Sequence, residues 1–142
     1  MPAKYSARYL LDTIKRINKI SDLHLLLESI LHEARNFVGA DAGTLYLRHN
    51  DRLYFNYIEN DTLFPEGEAP DRHVYSENSI PINKESLAGY VASTGEPLVI
   101  DDVYDIPSRV SYAFNPAYDK KTSYKTTSIL VEPLERSDKQ IV

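Results

Sequence analysis

Between Leu23 and Val38, apolar residues fall at Leu23, Leu26, Leu27, Ile30, Leu31, Ala34, Phe37 and Val38, the three-and-four spacing of one helical face. Ser21 and Asp22 offer capping oxygens before this run, and Gly39 offers a left-handed stop after it. A helix of this kind draws most of its stability from burying its apolar face, so a second layer is needed. The chain supplies one at once. From Ala42 to Leu47, Leu45 and Leu47 alternate with Thr44 and Tyr46, and His49-Asn50-Asp51 is turn chemistry. Leu53, Phe55 and Tyr57 then alternate up to Ile58, which predicts a β-hairpin with one apolar face for the helix to cover.

Upstream, Leu10, Ile14 and Ile17 repeat the helical spacing more thinly, so residues 7–19 read as a separate helix with a narrow seam suited to a partner helix. Residues 59–79 hold two prolines and many acidic residues with no sustained period, and read as a loop. Ile80 and Ile82 frame a short strand. Asn83 is then expected to cap a helix carrying Leu87, Ala88, Val91 and Ala92 and ending at Thr94-Gly95, where Pro97 forbids continuation. Leu98 to Ile100 is another strand. Residues 103–121, with isolated aromatics and two prolines, read as a functional segment or a short irregular helix. Residues 125–134 are expected to form a strand whose Ser128–Val131 segment suits burial on both faces. Ser137-Asp138 is a turn, and Gln140-Ile141-Val142 begins a strand. Strands joined by tight turns favour antiparallel pairing, and the expected class is α+β.

Composition narrows the function. The 142 residues suit one domain, and a formal charge of -5 with no dense Lys/Arg run argues against nucleic acid as a partner. The absence of cysteine excludes disulfides, thiolate zinc sites and a cysteine nucleophile, and suits a reducing compartment; cytoplasm is the expectation. Neither a membrane-spanning apolar run nor a signal-peptide core is present in the sequence. His24, His32, His49 and His73 show no metal-ligand spacing. Asp101 and Asp102 are adjacent in a strand and point to opposite faces, so Asp102 is expected to cap the following turn rather than share a proton or metal. Serine elbows and phosphate-cradling glycine loops are likewise missing. No catalytic residue, metal ligand or cofactor is therefore assigned. What remains is a pocket: the helix start after Asn83 would aim the N–H groups of Glu85, Ser86 and Leu87 outward. Thr44, Tyr46, Asp102 and the aromatic loop through Tyr104, Tyr112, Phe114 and Tyr118 would stand around it.

Three stretches, GADAGTLYL, SLAGYVASTGEPLVIDDVY and FNPAYDKKTSYKTTSILVEPL, resemble in order and spacing the GAF modules of bacterial signalling proteins, cyclic-nucleotide phosphodiesterases and adenylyl cyclases. The resemblance implies a GAF/PAS-like antiparallel sheet with helices packed on one face and a helix-and-loop lid over a pocket. It places the GAF domain at residues 21–142, incomplete at its C-terminal strand and helix, and leaves residues 1–20 as a linker or dimerisation helix. It also implies pocket positions: Thr44; Ile58 and Glu59, the latter able to read a purine edge; Ser86, Leu87 and Ala88; Asp102, Val103 and Tyr104; and Thr122, with Tyr124 beside it. Ser123 departs from the family's glycine, so a positive backbone angle there would be costlier.

Two functions follow as expectations. One is a non-catalytic sensory module that binds a small ligand, a cyclic nucleotide among the candidates, and controls an attached output domain. The other is a ligand-independent interaction module, a homodimer joined through Leu10, Ile14 and Ile17.

Overall fold

The computed structural model describes residues 6–65 and 79–135. By contacts the chain divides into two compact units, Met1–Leu45 with Phe55–Arg72, and Tyr46–Tyr54 with His73–Val142. Its sheets are antiparallel and its class is α+β, as the sequence predicts.

In the first unit, α1 (Ala7–Ile17) starts at Ser6, whose hydroxyl accepts from the Tyr9 N–H at 3.1 Å. Helix α2 (Leu23–Val38) starts at Asp22, whose carboxylate accepts from the Leu25 N–H at 3.1 Å, and stops at Gly39 with φ 69°. Asp22 and Gly39 are among the cap residues read from the sequence. The packing between the helices is less expected, because α1 meets α2 through its polar side. Thr13 is buried, and both the Tyr9 hydroxyl (3.2 Å) and the Arg16 guanidinium (2.8 Å) donate to Glu33. Tyr9, Thr13 and Arg16 are spaced i, i+4, i+7, so they share a face and turn Leu10, Leu11 and Ile14 into solvent. On α2, Leu31 and Arg35 are buried, whereas Leu23, Ala34 and Val38, expected on the core face, are exposed.

The hairpin forms where alternation places it, from β1 (Ala42–His49) and β2 (Arg52–Asn60), with its base in the first unit and its tip in the second. Only Asn50 and Asp51 connect the strands, and Asn50 takes φ 56°, the left-handed conformation that short hairpin turns require. Leu45 is buried while Thr44 is exposed. A Cβ at Gly43 would approach Leu31 Cδ1 at 3.0 Å, so the bare backbone lets β1 lie close on α2.

In the second unit, β3 (Ser79–Pro81) adds to the hairpin tip, with Leu53 opposite Ile80. Helix α3 (Leu87–Thr94) follows, then β4 (Leu98–Ile100), α4 (Ala117–Thr122) and β5 (Ile129–Val131), with β4 and β5 pairing antiparallel. Leu87, Val91, Leu98, Ile100 and Val103 form its core, against which Ile129 and Val131 pack. Two expectations are corrected. The α3 cap is Ser86, not Asn83, because Asn83 turns the chain locally by accepting from the Glu85 N–H at 2.9 Å. Strand β5 spans three residues rather than 125–134 and is half-buried on one face only. Upstream, the Thr126 N–H is taken by Asp119 and the Thr127 carbonyl by the Val103 N–H. Leu130 then faces outward beside its partner Val99, which is 78% exposed. The strand-start at 140–142 and the turn at 137–138 lie outside the described residues.

Candidate functional site

Within the second unit, ten residues between Val103 and Pro116 wall an open cleft of about 430 Å³. Its construction starts at the end of β4. The Asp102 carboxylate accepts from the Tyr104 N–H at 2.9 Å and its carbonyl from the Asp105 N–H at 3.2 Å, the expected turn-capping role. That turn drives Val103, 2% exposed, into the core, and its N–H bonds the Thr127 carbonyl at 2.9 Å. Ile106, Tyr112 and Phe114 then lean on the same core. Tyr104 and Phe114 meet edge to face with ring centres 5.2 Å apart, and Tyr90 and Tyr112 do so at 5.1 Å.

Asp119 of α4 ties this wall to the segment before β5. It accepts from the Tyr104 hydroxyl (2.7 Å), the Thr126 N–H (2.8 Å) and the Thr126 hydroxyl (2.7 Å). The bond to Asp119, then desolvation, then the Asp119 charge raise the Tyr104 phenol above the ordinary tyrosine value. The next turn is closed by Thr122, whose hydroxyl donates to the Tyr118 carbonyl at 2.7 Å and accepts from the Tyr124 N–H at 3.3 Å. Ser123 follows at φ 59°, so the chain takes the left-handed conformation here despite the cost expected for a serine in place of glycine. At α3, the Ser86 hydroxyl accepts from the Gly89 N–H at 3.1 Å and Leu87 is buried in the core. The Glu85 N–H, expected to face a ligand, is held by Asn83.

The first unit carries a polar clamp. Arg35, 8% exposed, donates from Nε to Glu59 at 2.7 Å and from Nη1 to the carbonyls of Asp41 (3.0 Å) and Ala40 (3.3 Å). Nη1 also pairs with Asp61 at 2.7 Å. That last bond does most to raise the guanidinium's proton affinity, and in turn it holds the Asp61 carboxyl below the usual aspartate value. His32 Nδ1 lies 3.3 Å from Glu59, and Asn36 is 2.8 Å from His32 Nε2. His32 and Glu59 line a shallow cleft of about 260 Å³ with Glu28 and Glu33. Even so, no group of three or more metal-binding side chains converges among the described residues.

The pocket positions implied by the sequence thus fall in both units. Thr44, Ile58 and Glu59 belong to the first; Ser86, Leu87, Ala88, Asp102, Val103, Tyr104, Thr122 and Tyr124 belong to the second. Of these, Val103 and Tyr104 line the larger cleft. Tyr112 and Phe114, read as pocket walls, line it too. Ile106 and Val110 were missed, although isolated apolar residues in a proline-punctuated loop were the available signal. Arg35 was missed because a cation in an amphipathic helix reads as its solvent face.

A family model described as "GAF domain" matches residues 22–142. The chain is 31% identical over 136 residues to the probable 3',5'-cyclic phosphodiesterase pde-5 of Caenorhabditis elegans, with 90% of this chain covered and 17% of that protein. It is 29% identical over 141 residues to the dual 3',5'-cyclic-AMP and -GMP phosphodiesterase 11A of Takifugu rubripes, at 94% and 14% coverage. The chain therefore spans less than a fifth of the length of these relatives. Among solved structures, the GAF domain of a phosphoenolpyruvate-protein phosphotransferase from Coxiella burnetii superposes with a TM-score of 0.67 at 14% identity, covering 94% of this chain and 71% of that one. The fold and the family match agree: the chain belongs to the GAF domain family.

Proposed function

We propose that this chain is a non-catalytic sensory module that binds a small ligand in the cleft walled by residues 103–116 and biases an attached output domain. The cleft carries the reading: its volume falls within the range of small-molecule sites, and aliphatic and aromatic side chains stand in its wall. Asp102 and Asp119 act as positioning residues, one turning the chain into the wall and the other fastening Tyr104 to Thr126. Thr44, Ile58, Glu59, Ser86, Leu87, Ala88, Thr122 and Tyr124 are proposed as ligand positions by family resemblance alone. Cyclic nucleotides join the test panel because the relatives are phosphodiesterases, and an enzymatic output domain is proposed on the same ground; the absence of cysteine suits a cytoplasmic setting. Calorimetric titration with cAMP, cGMP and a metabolite panel, read alongside thermal melts, tests this. Heat and a melting shift that both vanish in Asp119→Ala support it, whereas silence across the panel counts against a sensory role.

A second reading, a homodimer joined through α1, is favoured by one observation. Leu10 and Ile14 are 48% and 44% exposed beside a polar α1–α2 contact, with Ile17 half-buried next to them. Light scattering on wild type and Leu10→Gln/Ile14→Gln distinguishes the two: a dimer that the double variant dissolves supports this reading, and a monomeric wild type removes it.

A further inference from the structure

The cleft's lining carries a chemical preference. Val103, Ile106, Val110 and Phe114 present hydrocarbon, Tyr104 and Tyr112 present rings, and none of the described lining residues bears a charge. Of the wall's anionic partners, Asp102 accepts from the Tyr104 N–H at 2.9 Å and Asp119 is bonded to three donors, the Tyr104 hydroxyl among them at 2.7 Å. These carboxylates and the Tyr104 hydroxyl therefore satisfy one another. A phosphate entering such a cleft would lose part of its hydration and meet no charged side chain among the described lining residues, a penalty that neutral rings avoid. The chain's net charge of -5 adds a repulsive field for any anion.

We infer that this cleft selects an uncharged, ring-bearing ligand and rejects phosphate-bearing ones, cyclic nucleotides included. The inference rests on the cleft being a ligand site, as proposed above, and narrows the ligand class within that reading. Tyr104 and Phe114, edge to face at 5.2 Å, place two aromatic rings in the wall itself.

The test uses matched probes on the full chain: neutral 2-naphthol, anionic 2-naphthyl phosphate, and cAMP. Because the chain has no tryptophan, naphthyl fluorescence reports binding against a tyrosine background only. Two variants at lining positions with exposed side chains accompany wild type: Ala113→Phe to fill the cleft, and Ser108→Lys to supply the missing cation. The expected result is that 2-naphthol binds at least about tenfold tighter than 2-naphthyl phosphate and cAMP, that Ala113→Phe abolishes its binding, and that Ser108→Lys narrows the gap several-fold. If a phosphate-bearing probe binds wild type as tightly as 2-naphthol and Ala113→Phe removes it, the selectivity is overturned while the cleft stands as a ligand site. If no probe binds, or if Ala113→Phe leaves 2-naphthol binding unchanged, the selectivity and the cleft reading fall together.

Discussion

Replacing Arg35 by methionine removes the guanidinium while keeping an unbranched stem, so the effect isolates the clamp. Four contacts are lost, and they are not equal. The bond to Glu59 at 2.7 Å is charge-assisted and half-buried; its loss should cost about 1.5–3 kcal/mol. The Asp41 carbonyl keeps the Asp61 N–H at 3.0 Å, and the Ala40 contact is long at 3.3 Å, so together the two carbonyls add about 0.5–1 kcal/mol. The Asp61 side chain is 66% exposed and is readily rehydrated, so its ion pair adds little. The sum is a loss of about 2–4 kcal/mol, enough to remove a large part of the stability of a small domain. Urea unfolding followed by far-ultraviolet circular dichroism measures it as a displaced midpoint at unchanged slope. Arg35→Lys, a point donor in place of a planar fork, should recover only part of the loss. In a double-mutant cycle with Glu59→Gln, the coupling should reach about 1–2 kcal/mol. A loss below about 1 kcal/mol for Arg35→Met would mean that desolvation of the buried cation cancels its bonds, and the reasoning would be refuted. The same cycle bears on Glu59 as a ligand reader, since a carboxylate held by Arg35 should register in stability more than in affinity.

Gly89→Ala should destabilise by about 1–3 kcal/mol despite alanine's better helix propensity, because its Cβ would fall 2.6 Å from the Asn83 carbonyl and 2.8 Å from that of Pro81; a stabilised variant in thermal melts would contradict this. Ser123→Gly should stabilise by about 0.5–1 kcal/mol by relieving the left-handed conformation at φ 59°, whereas Ser123→Val should do the opposite; equal melting temperatures for all three proteins would oppose the assignment. Asp61 has a lowered folded-state pKa, so its contribution is present above the ordinary aspartate value and lost as pH falls through the folded value. Asp61→Asn should therefore flatten the stability profile below about pH 4. Tyr104 has a raised pKa, so its contribution is present below the ordinary tyrosine value and lost as pH rises through the folded one. Tyr104→Phe should accordingly weaken the alkaline limb above about pH 10, and melts across that range check it.

The readable parts of this chain are those where a local rule has one solution. Asp22 and Gly39 bracket α2, Asn50-Asp51 turns the hairpin, Gly95 ends α3, and Asp102 caps its turn, each because a backbone group near in sequence needs that partner or that angle. The three quoted stretches sufficed to indicate the family. What the sequence could not settle were choices between chemically similar neighbours. Asn83 and Ser86 are both good caps, and only the close packing of residues 81–86 over Gly89 selects Ser86. Arg35 lies on a helix whose apolar stripe suggests Ala34 and Val38 for burial. The carboxylates and carbonyls gathered from Ala40 to Asp41 and Glu59 to Asp61 draw in the cation instead. Residues 125–128 have the composition of a strand, but Asp119 and Val103 take their backbone groups before a ladder can. The sequence by itself determined most of the elements, the caps of α2 and the family, because these depend on periodicity and on partners a few residues away. Tertiary structure alone decided which face of α1 is buried, where Arg35 points and which residues wall the cleft, because each depends on groups that meet only after the chain has folded.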